Sequence, residues 1–358
     1  SDTSSLEYRT NVQQQALSMI HNFNVVYEEM KDLWHNQNDS IGVVSSRINA
    51  IAEELKYLNE AIASYERSGQ TANDLRDERN LLLDELAGLV NITYSVNSEN
   101  PSMIDVQIGG LTLVSGNTFN KVEVESCSKD IEAFNKLSSD IASKNQEILQ
   151  ELSKETVDNS VIEQLQNDIQ DLIDEFSETY GYAVTVEQNP RQNELRDVYF
   201  NGVLLVSGSY ACDSVDTIVQ LNRNRLKLGG QELSLEAGTV TGGQLYAHME
   251  MITGKDANTP GIPYYMEQLN QLARQIAEAV NAVHVEGYTY PHDGIGSANG
   301  IRFFAVPDNS LDLITAGNLA LDDKILESVY NIAGSSEPVD LGSGSTETGN
   351  NVIALRLF

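Results

Sequence analysis

The sequence predicts an α+β protein: an elongated bundle of long antiparallel helices carrying small antiparallel β lobes, with a helix-helix-hairpin module present twice. Three observations predict it. Long stretches near both ends of the chain repeat apolar residues in three- and four-residue steps. Short stretches between them alternate with period two and are punctuated by Gly and Asn. One block of helix and strand text recurs 90 and then 92 positions later.

Taken in order, Ala16, Met19, Ile20, Phe23, Val26, Tyr27, Met30, Leu33 and Trp34 align on one helical face, and the polar run Asn36-Gln37-Asn38-Asp39 is expected to end that helix. A second helix carries Ile48, Ile51, Leu55, Leu58, Ile62 and Tyr65 and stops at Ser68-Gly69. A third runs through Leu75, Leu82, Leu86 and Leu89, with Asn73 as its expected cap. If Leu82 lies in the core, replacing it with Asp should unfold the bundle. The period then changes to two. Ile92-Tyr94-Val96, a turn at Asn100-Pro101 and Ile104-Val106-Ile108 read as a hairpin, followed by Leu111–Val114 and a fourth short strand at Val122–Val124.

The same text then returns. Leu83-Asp84-Glu85-Leu86 is echoed by Ile173-Asp174-Glu175-Phe176, Tyr94-Ser95-Val96 by Val184-Thr185-Val186, and the 110–116 strand and its glycines by 202–208. Two extra residues in the second hairpin loop would explain the change of offset. Phe134, Leu137, Ile141, Ile148 and Leu152, then Ile162, Leu165, Ile169, Leu172 and Phe176, supply the matching helix pair. Further on, Gly242-Gly243 precedes a short helix. A longer one shows Tyr265, Leu269, Leu272, Ile276, Ala279 and Val283 in heptad steps and ends at Gly287, a residue suited to the left-handed conformation after a helix. This pattern predicts a rod from residues 1–90 and 241–304, a β lobe at 91–126, the second module with linking strands at 127–240, and a looser segment at 305–358 whose Gly342–Thr346 stretch is expected to be mobile.

At 358 residues the chain is too long for one small core, and 41% hydrophobic residues are enough to fold it. With 53 acidic against 22 basic side chains its formal charge is −31, a field that disfavours nucleic acid and anionic membranes as partners. No signal peptide or spanning apolar run is visible, and the start at Ser1 without Met suggests a piece of a longer protein. Cys127 and Cys212 form no metal or disulfide framework that sequence can specify.

Chemical motifs are sparse. The five histidines show no HExxH spacing, and there is no nucleophile elbow, phosphate loop or dinucleotide fingerprint. His284 with His292 and Asp293 could form a site at a helix end, although such a histidine commonly caps or packs. Residues 129–178, with 13 acidic and 4 basic side chains, read as a solvated helix face or a protein docking surface, and the apolar heptads as core or as a seam for another subunit. No cofactor, metal or catalytic residue is assigned.

Two blocks resemble the bacterial flagellar hook-associated protein 1 family. One is Asn73–Leu86, with Leu75, Arg76, Asp77, Arg79, Leu82 and Leu86, running into Val90-Asn91-Ile92-Thr93. The other is the Gly242-Gly243-Gln244-Leu245 turn with the Asn281, His284, Gly287 helix end, continuing to Phe303-Phe304. The resemblance implies a non-enzymatic axial protein, exported through the flagellar secretion channel without a cleaved signal and located in the extracellular flagellum. It would stand between the hook protein and the adjacent junction protein, be handled by an export chaperone, and self-associate in a ring when the full-length termini are present. The motif residues would then hold the bundle. The rival reading is a secreted metal-dependent adhesin or carboxylate-type hydrolase using His284 and Asp293.

Overall fold

The computed structural model describes residues 5–126, 130–212, 214–339 and 350–356. Cys127, and with it any pairing to Cys212, and the stretch 342–346 lie outside them. Among the described residues no helix is long and apolar enough to cross a membrane. The chain divides into two compact units. The first gathers Ser1–Lys31, Ser138–Ser214 and Tyr265–Phe358, and the second gathers Asp32–Leu137 and Val215–Tyr264. These boundaries cut across the rod expected from residues 1–90 and 241–304, since Leu75 belongs to the second unit and Leu272 to the first.

Helix α1 runs unbroken from Leu6 to Glu66, where the sequence suggested two helices. The reason is an interior stripe with polar members. Trp34, Asn38, Ile41, Ser45, Ile48, Ala52, Leu55, Asn59 and Ile62 alternate steps of four and three and are all buried. Asn38, read as a breaker, accepts the Asn224 backbone N–H at 2.7 Å through its side chain. Ser45 donates to the Ile41 carbonyl at 2.7 Å.

In the second unit, α2 (Asn73–Leu89) buries Leu83, Leu86 and Leu89 and is tied to α1 by the Arg47–Glu85 pair at 2.6 Å. Asn73 does not cap it. The capping position is Ala72, whose N–H is taken by the Glu66 carboxylate. Leu82 is half-buried, so the core position on this helix is Leu83. Strands β1 (Ile92–Val96), β2 (Ile104–Ile108), β3 (Leu111–Ser115) and β4 (Thr118–Phe119) form an antiparallel sheet in sequence order. The strand expected fourth, β5 (Val122–Glu125), instead joins β10 (Arg225–Leu228) and β11 (Gln231–Leu233) in a separate sheet ordered β11-β10-β5. Helices α5 (Val215–Asn222) and α6 (Gly243–Thr253) complete the unit. The fully buried Trp34 donates its indole N–H to the Ile252 carbonyl at 2.9 Å.

The first unit takes in most of α3 (Ile131–Leu152) and all of α4 (Asn159–Tyr180), with the sheet β6 (Val184–Gln188), β7 (Arg196–Phe200), β8 (Val203–Ser207), β9 (Tyr210–Ala211). Asp158 caps α4, and Gly181, at φ 73°, closes its other end in the left-handed region that glycine enters without strain. Helix α7 (Ile262–His284) buries Met266, Asn270, Ala273, Ala277, Asn281 and His284. The expected heptad face lies beside this one. Tyr265 and Leu272 are about half exposed, because polar Asn270, Asn281 and His284 occupy interior positions that an apolar count passes over. The segment after α7 is irregular, with short helices α8 (Asp323–Glu327) and α9 (Val352–Arg356).

The duplication is present in full. Asn59 of α1 donates to the carbonyls of Ile104 and Gly116 at 2.9 and 2.7 Å and accepts the Ile104 N–H at 3.2 Å. Asn145 of α3 does the same for Arg196 and Gly208, at 2.7, 2.6 and 3.0 Å. Each sheet has its register shift at the same place, between Val106 and Gln107 and between Val198 and Tyr199. The loops match too: Asn97 N–H to Met103 carbonyl is repeated by Asn189 to Leu195. The hairpin loops are therefore equal in length, and the strand equivalent to Val184-Thr185-Val186 is Ile92-Thr93-Tyr94, which pairs with its β2 neighbours in the same register. The extra residues of the second copy sit before the hairpin, in the helix region and its exit to the first strand. Helix α4 has 22 residues against 17 in α2.

Candidate functional site

The first family block builds a buried polar cluster where α2 meets the β1–β2 loop. Arg76 grips the Glu66 carboxylate with both ends of its guanidinium, at 2.7 and 2.8 Å, and the Ser102 hydroxyl donates to the same carboxylate at 2.6 Å. These hydrogen bonds, Arg76 first and Ser102 next, pull the Glu66 pKa down to about 2. Arg79 is buried and donates to Asn59 Oδ1 and the Ser102 carbonyl, both at 3.0 Å. Among the described residues its Nε has no hydrogen-bond partner, and burial first and the Arg76 charge next lower its pKa against the pull of the Glu66 carboxylate. Leu86 is fully buried, Leu75 and Leu82 are half-buried, and Asp77 is exposed. Thus Arg76 and Arg79 fasten a loop to a helix pair.

The Gly242-Gly243-Leu245 turn belongs to the same unit. Gly243 starts α6 at φ +81°, and a Cβ there would lie 2.6 Å from the backbone of Leu89 and Val90, so only glycine lets α6 sit against the end of α2. Leu245 is fully buried. Asn91 holds the neighbouring strand exit, donating to the Thr239 carbonyl and accepting the Thr241 N–H at 2.8 Å.

In the first unit, Asn281 and His284 lie one turn apart on the inner face of α7. The Asn281 side chain accepts from Phe303 and Phe304 N–H at 2.9 and 2.8 Å and donates to the Phe304 carbonyl at 3.0 Å. The fully buried His284 accepts the Ala333 N–H at Nε2, 2.8 Å, which fixes Nδ1 as the donor to the Ile301 carbonyl at 2.7 Å. Burial is the main cause that lowers its pKa and keeps it neutral. Both ring nitrogens are occupied by backbone, so no lone pair is left for a metal or a proton transfer. Gly287 does not adopt the expected left-handed conformation. It is required because a Cβ would press to 2.7 and 2.9 Å on Ala333 and Ile353. Asp293, the other half of the rival site, is exposed in a turn at φ 46°. Among the described residues no three His, Cys, Asp or Glu converge to hold a metal ion.

Sequence reasoning missed the residues that do most of this fastening: Asn24, Asn59, Asn145 and Asn270, each bonded through its side chain to distant backbone. The one available signal was the duplication, since Asn59 and Asn145 fall at the same place in the two copies.

A model of the flagellar hook-associated protein FlgK helical domain matches residues 1–135 and 125–304. Flagellar hook-associated protein 1 of Bacillus subtilis (strain 168) is 28% identical over 96 residues, which are 27% of this chain and 19% of that relative. The flagellar hook junction protein FlgK from Burkholderia pseudomallei aligns over 84% of this chain and 37% of its own, at 17% identity and a TM-score of 0.45. This chain thus spans well under half the length of either. Since the helical-domain match runs through most of its residues, the chain belongs to the flagellar hook-associated protein FlgK family.

Proposed function

We propose that the chain is a structural part of a flagellar junction protein that joins hook to filament by subunit packing, without catalysis. The carrying observation is the run of the FlgK helical-domain match across 1–135 and 125–304. The geometry supports it: Arg79, Asn281 and His284 bind backbone groups, Arg76 binds the Glu66 carboxylate, and Gly243 and Gly287 sit where a Cβ would collide with neighbouring segments. On this reading the partners are the hook protein and the adjacent junction protein, with an export chaperone beforehand and self-association in a ring in the complete protein. The location is the extracellular flagellum, reached without a cleaved signal peptide.

The test is complementation. The complete protein containing this chain should restore motility to a strain lacking its junction protein, and a variant with Asn281 and His284 both replaced by Ala should not. Failure of the unaltered protein to restore motility or to appear at the hook tip would refute the reading.

A further inference from the structure

An open groove of about 440 Å³ runs between α1 and α2 in the second unit. Its apolar lining includes Tyr57, Leu58, Leu75 and Leu82, and Tyr57 is 69% exposed. Its rim is acidic, with Glu53, Glu54 and Glu78. Leu75 and Leu82 stand seven residues apart on one helix face, the spacing that receives a further helix laid alongside.

The internal duplicate shows what charge such a rim takes. Asn59 matches Asn145 by its hydrogen bonds, so Leu58 matches Lys144. The buried faces of α2 and α4 match at Arg79 with Ile169, Leu83 with Ile173 and Leu86 with Phe176, so Glu78 matches Asp168. In the second copy Lys144 reaches across the helix pair and pairs with Asp168 at 3.1 Å. In the first copy the lysine is replaced by Leu58, and Glu78 keeps its place at the rim without that cation. A second copy of this chain, with its formal charge of −31, would bring acid to acid.

We propose that this groove receives an amphipathic helix of a partner protein, its apolar face on Tyr57, Leu75 and Leu82 and a lysine or arginine against Glu78. The inference stands apart from the flagellar reading, and either can fail alone.

The test uses the full chain and a synthetic amphipathic helical peptide with leucines on one face and lysines at its borders, followed by calorimetry at two salt concentrations. Saturable binding is expected, weakening as salt rises and falling roughly tenfold or more in Tyr57→Glu, whose melting temperature should stay unchanged because the side chain is exposed. Glu78→Lys serves as a second variant with the same expected loss. The proposal is overturned by no binding, by equal binding of a scrambled peptide of the same composition, or by unchanged binding in both variants. Concentration-dependent self-association that Tyr57→Glu abolishes would overturn it in favour of a second copy as occupant.

Discussion

The two helix-helix-hairpin modules share a frame and differ in the layer between helix and loop. Ile48, Ile51, Leu55 and Ile62 are answered by Phe134, Leu137, Ile141 and Ile148, all buried, and Asn59 by Asn145. Around that frame the first copy places Glu66, Arg76 and Arg79 where the second has Leu152, Gln166 and Ile169. Both nonetheless hold the same loop carbonyl. Arg79 donates to Ser102 at 3.0 Å, and Gln166 donates to its counterpart Glu194 at 2.7 Å. What is kept between the copies is the satisfied backbone group, and the side chain that satisfies it is free to change.

The comparison is broken most severely in the shared core. Leu86→Asp buries an unpaired charge and should cost about 4 kcal/mol or more, unfolding the second unit, whereas Leu82→Asp at the half-buried neighbouring face should cost far less. Urea denaturation of both variants checks the difference, and equal losses would place Leu82 in the core after all. Next come the two asparagines. Asn59→Ala and Asn145→Ala each orphan three backbone groups, at about 1–3 kcal/mol per buried group left unpaired. Asn59→Ala should be the costlier, because it also strips Arg79 of an acceptor. A ranking reversed in calorimetry would mean that Arg79 is held without it.

Acid separates the units. The His284 pKa lies below its ordinary 6.5, so the unfolded chain binds the proton more readily and the first unit loses stability as pH falls below 6.5. Glu66, lowered from 4.5 to about 2, supports the second unit fully above 4.5, and that support disappears between 4.5 and 2. Hydrogen exchange followed by mass spectrometry at stepped pH should show loosening of the first unit before Glu66's support in the second begins to fade, and Glu66→Gln should remove the lower step. The smallest effect is expected from Arg79→Ile, which places the second copy's residue, Ile169, at the matching position of the first. It removes a buried cation with an unpaired Nε along with its bonds to Asn59 and to the Ser102 carbonyl, and these opposing effects should leave stability changed by about 1 kcal/mol. A large loss in the melting curve would show that the guanidinium contributes more than its two observed bonds.

The sequence disclosed the α+β class, the repeated module and the helices, because glycine-bounded strands and three-four apolar steps are local signals. It concealed whatever depended on inward polar residues. Asn38 looked like a helix break, and Asn270, Asn281 and His284 shifted the true inner face of α7 away from the apolar heptad. Strand β5 has the same alternation as its neighbours, and only its pairing with β10, about a hundred residues on, sends it to another sheet. The motif residues Arg76, Arg79, Asn281 and His284 were legible as a set through family resemblance, but their partners were not. Those partners are mainly backbone carbonyls and N–H groups, which carry no letter of their own.

The chain contains a single tryptophan, and it sits wholly enclosed in the second unit with its N–H tied to Ile252. Nature has thereby fitted a built-in optical probe to one half of the molecule. Its emission will redden when that half opens to water, so the opening of the second unit can be followed by light without any label.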